Sequence, residues 1–327
     1  MTLVGWPLLI FDSVRVVAGP FGRRVVKGCF AAFRPMLKTR GIFVMRNGFI
    51  QSPGLRELSE AANQAINRIK INSITAEVRD EKHIWVKRRR WGSELIAGQA
   101  NLFFQLAQGR VHLWVDPKKW QHWEVGCFRL LQEPRFHAWA EGPRAVCMDA
   151  VPGMHLYEHL KRGTLTMRAV EAAAMELRRA HQLWCAEFDD WWSHGDPHLD
   201  NVIYDAATNR ARLIDFEVVH DKSLPAVLRQ ADDLLVFLQD LVCRVSSEQW
   251  LPFALGFIVA YERPDVVMEL RKLLFVPAGL AGIWWRLRTE NFERRELIRR
   301  VAALRHALDR MLGTKREKES FQLQGVA

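Results

Sequence analysis

The sequence feature that most constrains this chain is a polar loop, residues His194–Asn201, with the sequence HGDPHLDN. The runs Val202–Tyr204 and Arg212–Ile214 follow it and predict two short strands, with a polar turn between them. Such a hairpin carries Asn201, just before the first strand, and Asp215, just after the second, to the same end. The sequence therefore predicts a site in which polar side chains from both ends of the hairpin face one ligand.

The side chains gathered there are of the types that phosphoryl transfer requires. The transferred phosphoryl group needs little covalent chemistry from a protein, so catalysis is mostly positioning and charge neutralisation. Asp196 lies at the turn of the loop, where its carboxylate can orient an acceptor hydroxyl and accept the proton. Asn201 and Asp215 offer the hard oxygen atoms that Mg²⁺ prefers. His198 is expected to support the loop or the transferring group.

The pattern His-Gly-Asp-x-His-x-x-Asn, followed by a hydrophobic residue, Asp and Phe, resembles small-molecule kinases of the protein-kinase-like superfamily. That group includes aminoglycoside, choline and lipopolysaccharide-core kinases. Protein kinases proper have Arg at the position of Gly195 and Lys at that of His198, so the resemblance implies the small-molecule branch. It also implies an α+β, bilobal protein-kinase-like fold with a small β-rich N-lobe and a mostly helical C-lobe.

Two further segments resemble the lipopolysaccharide-core (Kdo/heptose) kinases in particular. Trp120–Glu124, followed by the run CFRLL, is similar to the helix that carries the lysine-steering glutamate in those enzymes. An Arg-x-x-Asp pattern from Arg229 to Asp232 is similar to a segment in which the Asp braces the catalytic loop from behind. The resemblance covers roughly residues 70 to 245 and implies ATP and Mg²⁺ as cofactors.

A second predicted hairpin supplies the candidate nucleotide-binding lysine. Ser73–Val78 and His83–Lys87 are β-rich runs separated by a polar turn. In the kinase-like plan, the second strand delivers the lysine that binds the α and β phosphates, and Lys87 occupies that place. Arg88–Arg90 follow it and leave the register open. For the carboxylate partner of Lys87, helical spacing and the family likeness favour Glu124 over Glu94.

The hinge between lobes is expected just after the β-like run Arg144–Met148. There, Met148 and Val151 would offer apolar contacts to adenine, and backbone groups would hold it. No glycine-rich phosphate loop precedes the lysine hairpin, because Gly41, Gly48 and Gly54 are isolated.

Beyond the hinge the chain is predicted to be mainly helical, with an amphipathic helix over Thr166–Trp184 in which His181 packs inward. Val218–Pro225 is too short for a protein-kinase activation segment. Residues 245 to 312 are also helical in character. Four arginines there lie among aromatic residues and suit either an anionic glycolipid acceptor or a solvated helix face. They are Arg286, Arg288, Arg294 and Arg295.

Charge is concentrated at the N-terminus. The net charge of the 327-residue chain is +10, and the first 50 residues hold eight Lys and Arg side chains against one Asp. A basic amphipathic helix within residues 1–40 would lie on an anionic membrane surface or pack on the enzyme body, and the pattern does not separate these. Nothing resembling a nucleic-acid-binding motif accompanies it. The five widely spaced cysteines indicate reduced thiols and a cytoplasmic protein.

These observations predict a basic N-terminal extension (1–54), a kinase N-lobe (55–148), a C-lobe (149–312) and a charged tail (313–327). The expected activity is ATP-dependent phosphorylation of a sugar hydroxyl on a lipopolysaccharide or other envelope glycolipid, at the inner face of the cell membrane. A soluble aminoglycoside- or choline-like kinase would share every catalytic residue. A pseudokinase regulator would keep the fold without the chemistry.

Overall fold

The computed structural model describes residues 71–107, 109–290 and 292–324, with side chains as far as residue 313. The predicted N-terminal extension with its basic amphipathic helix lies outside the described residues, as do the three isolated glycines. The two predicted hairpins and the segments after them lie within the described part.

Eleven strands occur in the described part of the chain. In order they are β1 (Asn72–Arg79), β2 (Lys82–Arg89), β3 (Val111–Leu113), β4 (Ala138–Glu141), β5 (Ala145–Asp149), β6 (Met154–His155), β7 (Trp184–Cys185), β8 (Asp190–Trp191), β9 (Val202–Asp205), β10 (Arg210–Leu213) and β11 (Val218–His220). A short 3₁₀ turn, Leu199–Asn201, lies immediately before β9.

The largest sheet is antiparallel, with the strand order β1-β2-β5-β4. In β2, Ile84 and Val86 are buried on one face in a small apolar cluster with residues of β5. Lys87 lies on the opposite face, because side chains alternate along a strand. Lys87 pairs with Val146 of β5, so Val146 and Met148 share the face that carries the lysine.

The helices of the described residues lie mostly after this sheet. They are α1 (Ser93–Leu106), α2 (Pro117–Gln132), α3 (Leu156–Lys161), α4 (Met167–Ala180), α5 (Ala226–Arg244), α6 (Trp250–Tyr261), α7 (Pro264–Leu273), α8 (Gly279–Arg288) and α9 (Arg294–Gln324). The last of these continues through most of the segment 313–327.

The ends of two helices show how the sequence sets their limits. Helix α2 begins after Asp116, whose side chain accepts a hydrogen bond from the Lys118 N–H at 2.9 Å, and Pro117 occupies the first helical position. Helix α4 begins after the capping residue Thr166 but ends at Ala180, four residues earlier than predicted. Trp184 instead belongs to a short two-stranded sheet and stacks edge-on against Trp191 at 5.8 Å.

One large apolar core joins α2 to the C-terminal helices. Phe237 of α5 and Phe257 of α6 stack at 4.2 Å between ring centroids, and both are buried. Full burial of such a side chain contributes about 1.5–3 kcal/mol, so the core holds the helical part together. The predicted α+β class, with a β-rich N-terminal lobe and a mostly helical C-terminal lobe, is confirmed. None of the described helices is long and apolar enough to cross a membrane.

Candidate active site

The predicted hairpin that carries the polar loop is formed by β9 and β10. Val202 pairs with Leu213 in an antiparallel register, and the Ile214 N–H donates to the Asn201 carbonyl at 3.0 Å. Asn201 directly precedes β9, and Asp215 follows β10 after one residue. The two residues therefore lie at the same end of the hairpin, as the sequence predicts.

Backbone and side-chain hydrogen bonds lock the loop between Asp196 and Asn201. The Asn201 amide Nδ2 donates to the Asp196 carbonyl at 2.9 Å, which fixes the orientation of the amide group. The His198 N–H donates to the same carbonyl, also at 2.9 Å. His198 Nε2 lies 3.6 Å from Asp196 Oδ2, and both side chains are partly exposed. The Asp196 side chain is thus partly accessible to solvent, and its neighbours hold the loop around it in place.

Asp215 has an unusual backbone conformation, with φ at 63°. Left-handed geometry is uncommon for a residue other than glycine and is found in turns and functional sites, where Asp tolerates it best. Its carboxylate Oδ1 lies 2.6 Å from Lys87 Nζ. Burial raises the pKa of Asp215, but the Lys87 ammonium lowers that pKa. The net shift is downward, so the carboxylate is ionised at neutral pH.

Lys87 lies among three carboxylates, from Glu124, Asp215 and Glu217. Its Nζ is 3.1 Å from Glu124 Oε1 and 3.6 Å from Glu217 Oε2. Burial alone would lower the pKa of Lys87, but the charges of Asp215, Glu124 and Glu217 raise it above its ordinary value. Burial raises the pKa of Glu124 to about 7, although Lys87 opposes that shift. The lysine is therefore a permanently charged group held by α2 and the hairpin.

Of the two candidate partners, the structure brings Glu124 rather than Glu94 to Lys87. Glu124 lies on the buried face of α2 and also accepts a 3.4 Å hydrogen bond from the Phe216 N–H. Glu94 lies in the first turn of α1, where its carboxylate contacts Arg144 at 2.6 Å. Helical spacing was thus the useful signal in the sequence.

Glu217 is a further acidic residue of the site, and the sequence motif does not indicate it. Burial raises the pKa of Glu217, and Asn72 Nδ2 donates to its carboxylate at 2.6 Å. It stands two positions after Asp215, with the buried Phe216 between them. The segment between β10 and β11 is irregular, with Asp215 in the left-handed region, so no regular spacing in the sequence points to Glu217.

The residue that supports the loop from behind by hydrogen bonding is Asp233, and the prediction of Asp232 for this role is wrong. The Asp233 carboxylate accepts hydrogen bonds from the backbone N–H groups of His194 and Gly195, each at 2.7 Å. It also lies 2.9 Å from Nε2 of the fully buried His181. Asp232 faces elsewhere because successive residues of a helix point in directions about 100° apart. Its carboxylate contacts Arg110 at 3.1 Å.

Gly195 occupies a position that no side chain fits. Its φ is 92°, and a Cβ atom there would lie 2.5 Å from the Val218 carbonyl oxygen. The loop therefore approaches the backbone at the start of β11 more closely than any other residue type allows. This close approach gives a physical reason for glycine at a position where protein kinases have Arg.

The two hinge residues lie on either side of the predicted lobe boundary. Met148 shares its sheet face with Lys87, and both Met148 and Val151 are partly buried against the main core. The Asp149 and Ala150 N–H groups donate to His137 and His83 carbonyls, each at 2.9 Å. Because these two N–H groups already donate hydrogen bonds within the protein, they are not available to bind adenine as the sequence predicted for hinge backbone groups.

The donor set suits Mg²⁺, because Asn201 supplies an amide oxygen and Asp215 an ionised carboxylate. The described residues contain no group of three or more His, Cys, Asp or Glu side chains that could hold a metal by themselves. Mg²⁺ in phosphoryl-transfer sites is usually held by one or two carboxylates together with substrate phosphates and waters. Asn201 and Asp215, at the same end of the hairpin, would supply such a small set of protein donors.

Comparisons with known proteins give no matching family model and no similar curated protein. Among solved structures, an aminoglycoside-3′-phosphotransferase of type VIII is 17% identical, with 72% of this chain and 99% of that chain covered and a TM-score of 0.35. An ethanolamine kinase from Plasmodium vivax is 8% identical, with 81% and 95% covered and a TM-score of 0.38. The streptomycin–ATP–APH(2″)-IIa ternary complex is 15% identical, with 79% and 97% covered and a TM-score of 0.35. At these values the likeness says nothing about the activity or substrate of this chain.

Proposed function

We propose that this protein is an ATP-dependent phosphotransferase that acts on a hydroxyl group of a small molecule. The observation that carries this proposal is the position of Lys87, 2.6 Å from Asp215 and 3.1 Å from Glu124. A buried lysine held by a helical glutamate and by the carboxylate after the catalytic hairpin is the arrangement that positions nucleotide phosphates in kinases.

Each nearby side chain has a role in this proposal. Lys87 binds the α and β phosphates of ATP, and Met148 and Val151 contact adenine. Asn201 and Asp215 hold Mg²⁺, which when bound neutralises charge on the phosphates. Asp196 orients the acceptor hydroxyl and accepts its proton, and geometry matters more than basicity in that step. His198, 3.6 Å from the Asp196 carboxylate, keeps that carboxylate in place.

The finer proposal concerns the acceptor. The motif resemblance supports a sugar hydroxyl on a lipopolysaccharide or another envelope glycolipid. The basic residues 1–40 would then keep the enzyme at the anionic cytoplasmic face of the membrane. An aminoglycoside- or choline-like kinase acting on a free metabolite is the alternative.

The proposal is tested by metabolite and lipid profiling of a deletion strain of the source organism, complemented with wild-type protein or with Asp196→Asn. We expect one phosphomonoester to disappear on deletion, to return with the wild type and to stay absent with the variant. Its identity, lipid-linked or free, decides between the two acceptor classes. Full restoration by Asp196→Asn would contradict the proposal and favour a non-catalytic regulator.

A further inference from the structure

A cavity of about 400 Å³ lies beside the catalytic loop, between the end of α1, helix α5 and helix α8. Arg288, the last residue of α8, lines it. The Arg288 Nη2 atom is 3.4 Å from the Gly195 carbonyl oxygen and 4.0 Å from Asp196 Oδ1. Pockets of about 300–1,000 Å³ hold small ligands. The cavity therefore adjoins the side chain that faces the acceptor hydroxyl in the proposed reaction.

Positive charge predominates on the cavity wall. Among the described residues that line it, the charged ones are Arg110, Arg288 and Asp232. Asp232 lies 3.1 Å from Arg110 Nη1 and 3.9 Å from Arg288 Nη1. Burial raises the pKa of Asp232, but a hydrogen bond from His220 and the charge of Arg288 lower it to about 2. On the cavity wall itself, one ionised carboxylate thus faces two guanidinium groups. Asp196 does not line the cavity, but its carboxylate lies 4.0 Å from Arg288 Nη2.

Arg288 makes fewer hydrogen bonds than its guanidinium group can donate. It can donate five hydrogen bonds, but within the described residues it makes one, the 3.4 Å contact with Gly195. Its buried Nε has no hydrogen-bond partner there. Its guanidinium lies 4.7 Å from the centre of the Trp284 ring, which holds the side chain in place. A positioned, undersatisfied arginine suits a carboxylate or phosphate, which it can bind in a bidentate manner.

The rest of the wall is largely apolar. Leu106, Phe275 and Leu280 line the cavity and are 59%, 54% and 42% exposed. Trp284 adds a rigid surface, since its ring packs edge-on against Phe104 at 4.9 Å. Large apolar side chains gathered around a cavity and left in contact with solvent are typical of a ligand-binding site.

We propose that the ligand of this cavity is an acidic amphiphile, with an anionic group bound by Arg288 and an apolar body against Leu106, Phe275 and Leu280. That this ligand is the phosphate acceptor rests on the proposed phosphotransferase function. If it is, its reacting hydroxyl lies close to its anionic group, because Arg288 is next to Asp196. Arg288 then determines specificity, because a polycationic acceptor would meet two guanidinium groups at the same place.

The test measures binding to the full-length protein without ATP, by isothermal titration calorimetry. The probes are octyl β-D-glucuronide, its neutral counterpart octyl β-D-glucoside, glucuronic acid without an alkyl chain and the polycation kanamycin, each below any micelle-forming concentration. Variants are Arg288→Gln, the more exposed Arg110→Gln, and Arg286→Gln. Arg286 is on the same helix as Arg288 but does not line the cavity, so its variant is the matched control.

We expect the wild type and Arg286→Gln to bind the glucuronide roughly tenfold or more tightly than the glucoside, as loss of a charged hydrogen bond implies. Glucuronic acid and kanamycin should bind weakly. Arg288→Gln should abolish the preference, and Arg110→Gln should reduce it. Equal affinity for the two glycosides, tighter binding of kanamycin, or no saturable binding would overturn the inference. Because no nucleotide is present, these results are independent of whether the protein transfers phosphate.

Discussion

Lys87 Nζ lies 2.6 Å from Asp215 Oδ1, although 128 positions separate the two residues in the sequence. The contact joins the N-terminal sheet to the end of the β9–β10 hairpin. Together with Glu124 it forms an ion cluster in which Lys87 and Glu124 are almost fully buried. Removing one partner from such a cluster destabilises a protein more than the intact cluster stabilises it, because the remaining charge stays buried.

The first prediction concerns Lys87→Met. It leaves the carboxylates of Glu124 and Glu217 without their cation, so we expect the free energy of unfolding to fall by about 3–5 kcal/mol and ATP affinity to be lost. Urea denaturation and nucleotide titration measure the two effects. Lys82→Met, at the exposed start of the same strand, is the control and should change neither. A similarly small effect in both variants would refute the buried cluster.

The second prediction concerns the close approach at Gly195. Gly195→Ala forces a Cβ atom against the Val218 carbonyl in a left-handed conformation, so we expect a loss of about 1–3 kcal/mol in stability and a large loss of activity. Gly126→Ala is the control, because that glycine lies within α2 with open space around it. There, alanine should stabilise the protein by about 0.5–1 kcal/mol. Thermal unfolding that responds alike to both substitutions would contradict this account of the loop.

The third prediction concerns Asp233, which accepts hydrogen bonds from two backbone N–H groups of the loop. Asp233→Asn replaces one acceptor oxygen with a donor, so at least one of those N–H groups loses its partner. We expect amide hydrogen exchange at His194 and Gly195 to accelerate and catalytic turnover to fall, by more than overall destabilisation explains. The residue-by-residue exchange rates are the measurement. Unchanged protection at both amides would show that Asp233 is not the brace.

The fourth prediction is a dependence of stability on pH. Burial lowers the pKa of both His181 and His194 in the folded protein, although nearby Asp233 opposes the shift. The unfolded chain, where histidine has a pKa of about 6.5, then binds more protons than the folded chain as the pH falls. The contribution of the two histidines is therefore complete above pH ~6.5 and is lost below it, by up to about 1.4 kcal/mol per pH unit for each histidine. The raised pKa values of Glu124 and Glu217 make a contribution of the opposite sign over the same range.

Urea denaturation between pH 7.5 and 5 measures this slope. His181→Gln should lower stability at pH 7.5 but lose less stability than the wild type between pH 7.5 and 5, because one of the two buried histidines is gone. The same change in stability over this range in the variant and the wild type would exclude His181 as a contributor.

Local patterns were sufficient to predict the hairpins and the strand of Lys87. The strands contain short runs rich in β-branched and aromatic residues next to polar turns, such as Val202–Tyr204 and Ile84–Val86. The loop motif indicated the positions of Asp196, Asn201 and Asp215. Helical spacing also favoured Glu124, because α2 has one buried face and the carboxylate lies on it.

Local patterns failed where a helix has no exposed face. All residues from 229 to 242 in α5 are buried, so periodicity could not indicate which of Asp232 and Asp233 contacts the loop 194–201. His181 was correctly expected to point inward, but its contacts with Asp233 and Tyr261 depend on elements distant in the sequence. Arg288 stood out from three other arginines only once the packing of α8 beside the loop was known.

The central claim is that Asn201 and Asp215 hold one divalent ion together with the nucleotide phosphates. Binding of a non-hydrolysable ATP analogue, titrated with and without Mg²⁺, tests it most directly. The wild type and the exposed neighbour variant Asp200→Asn should bind the analogue more tightly with Mg²⁺, whereas Asp215→Asn and Asn201→Ala should lose roughly tenfold or more of that gain, about 1.4 kcal/mol. An equal gain in affinity for the analogue on adding Mg²⁺ in all four proteins would contradict a shared metal site at Asn201 and Asp215.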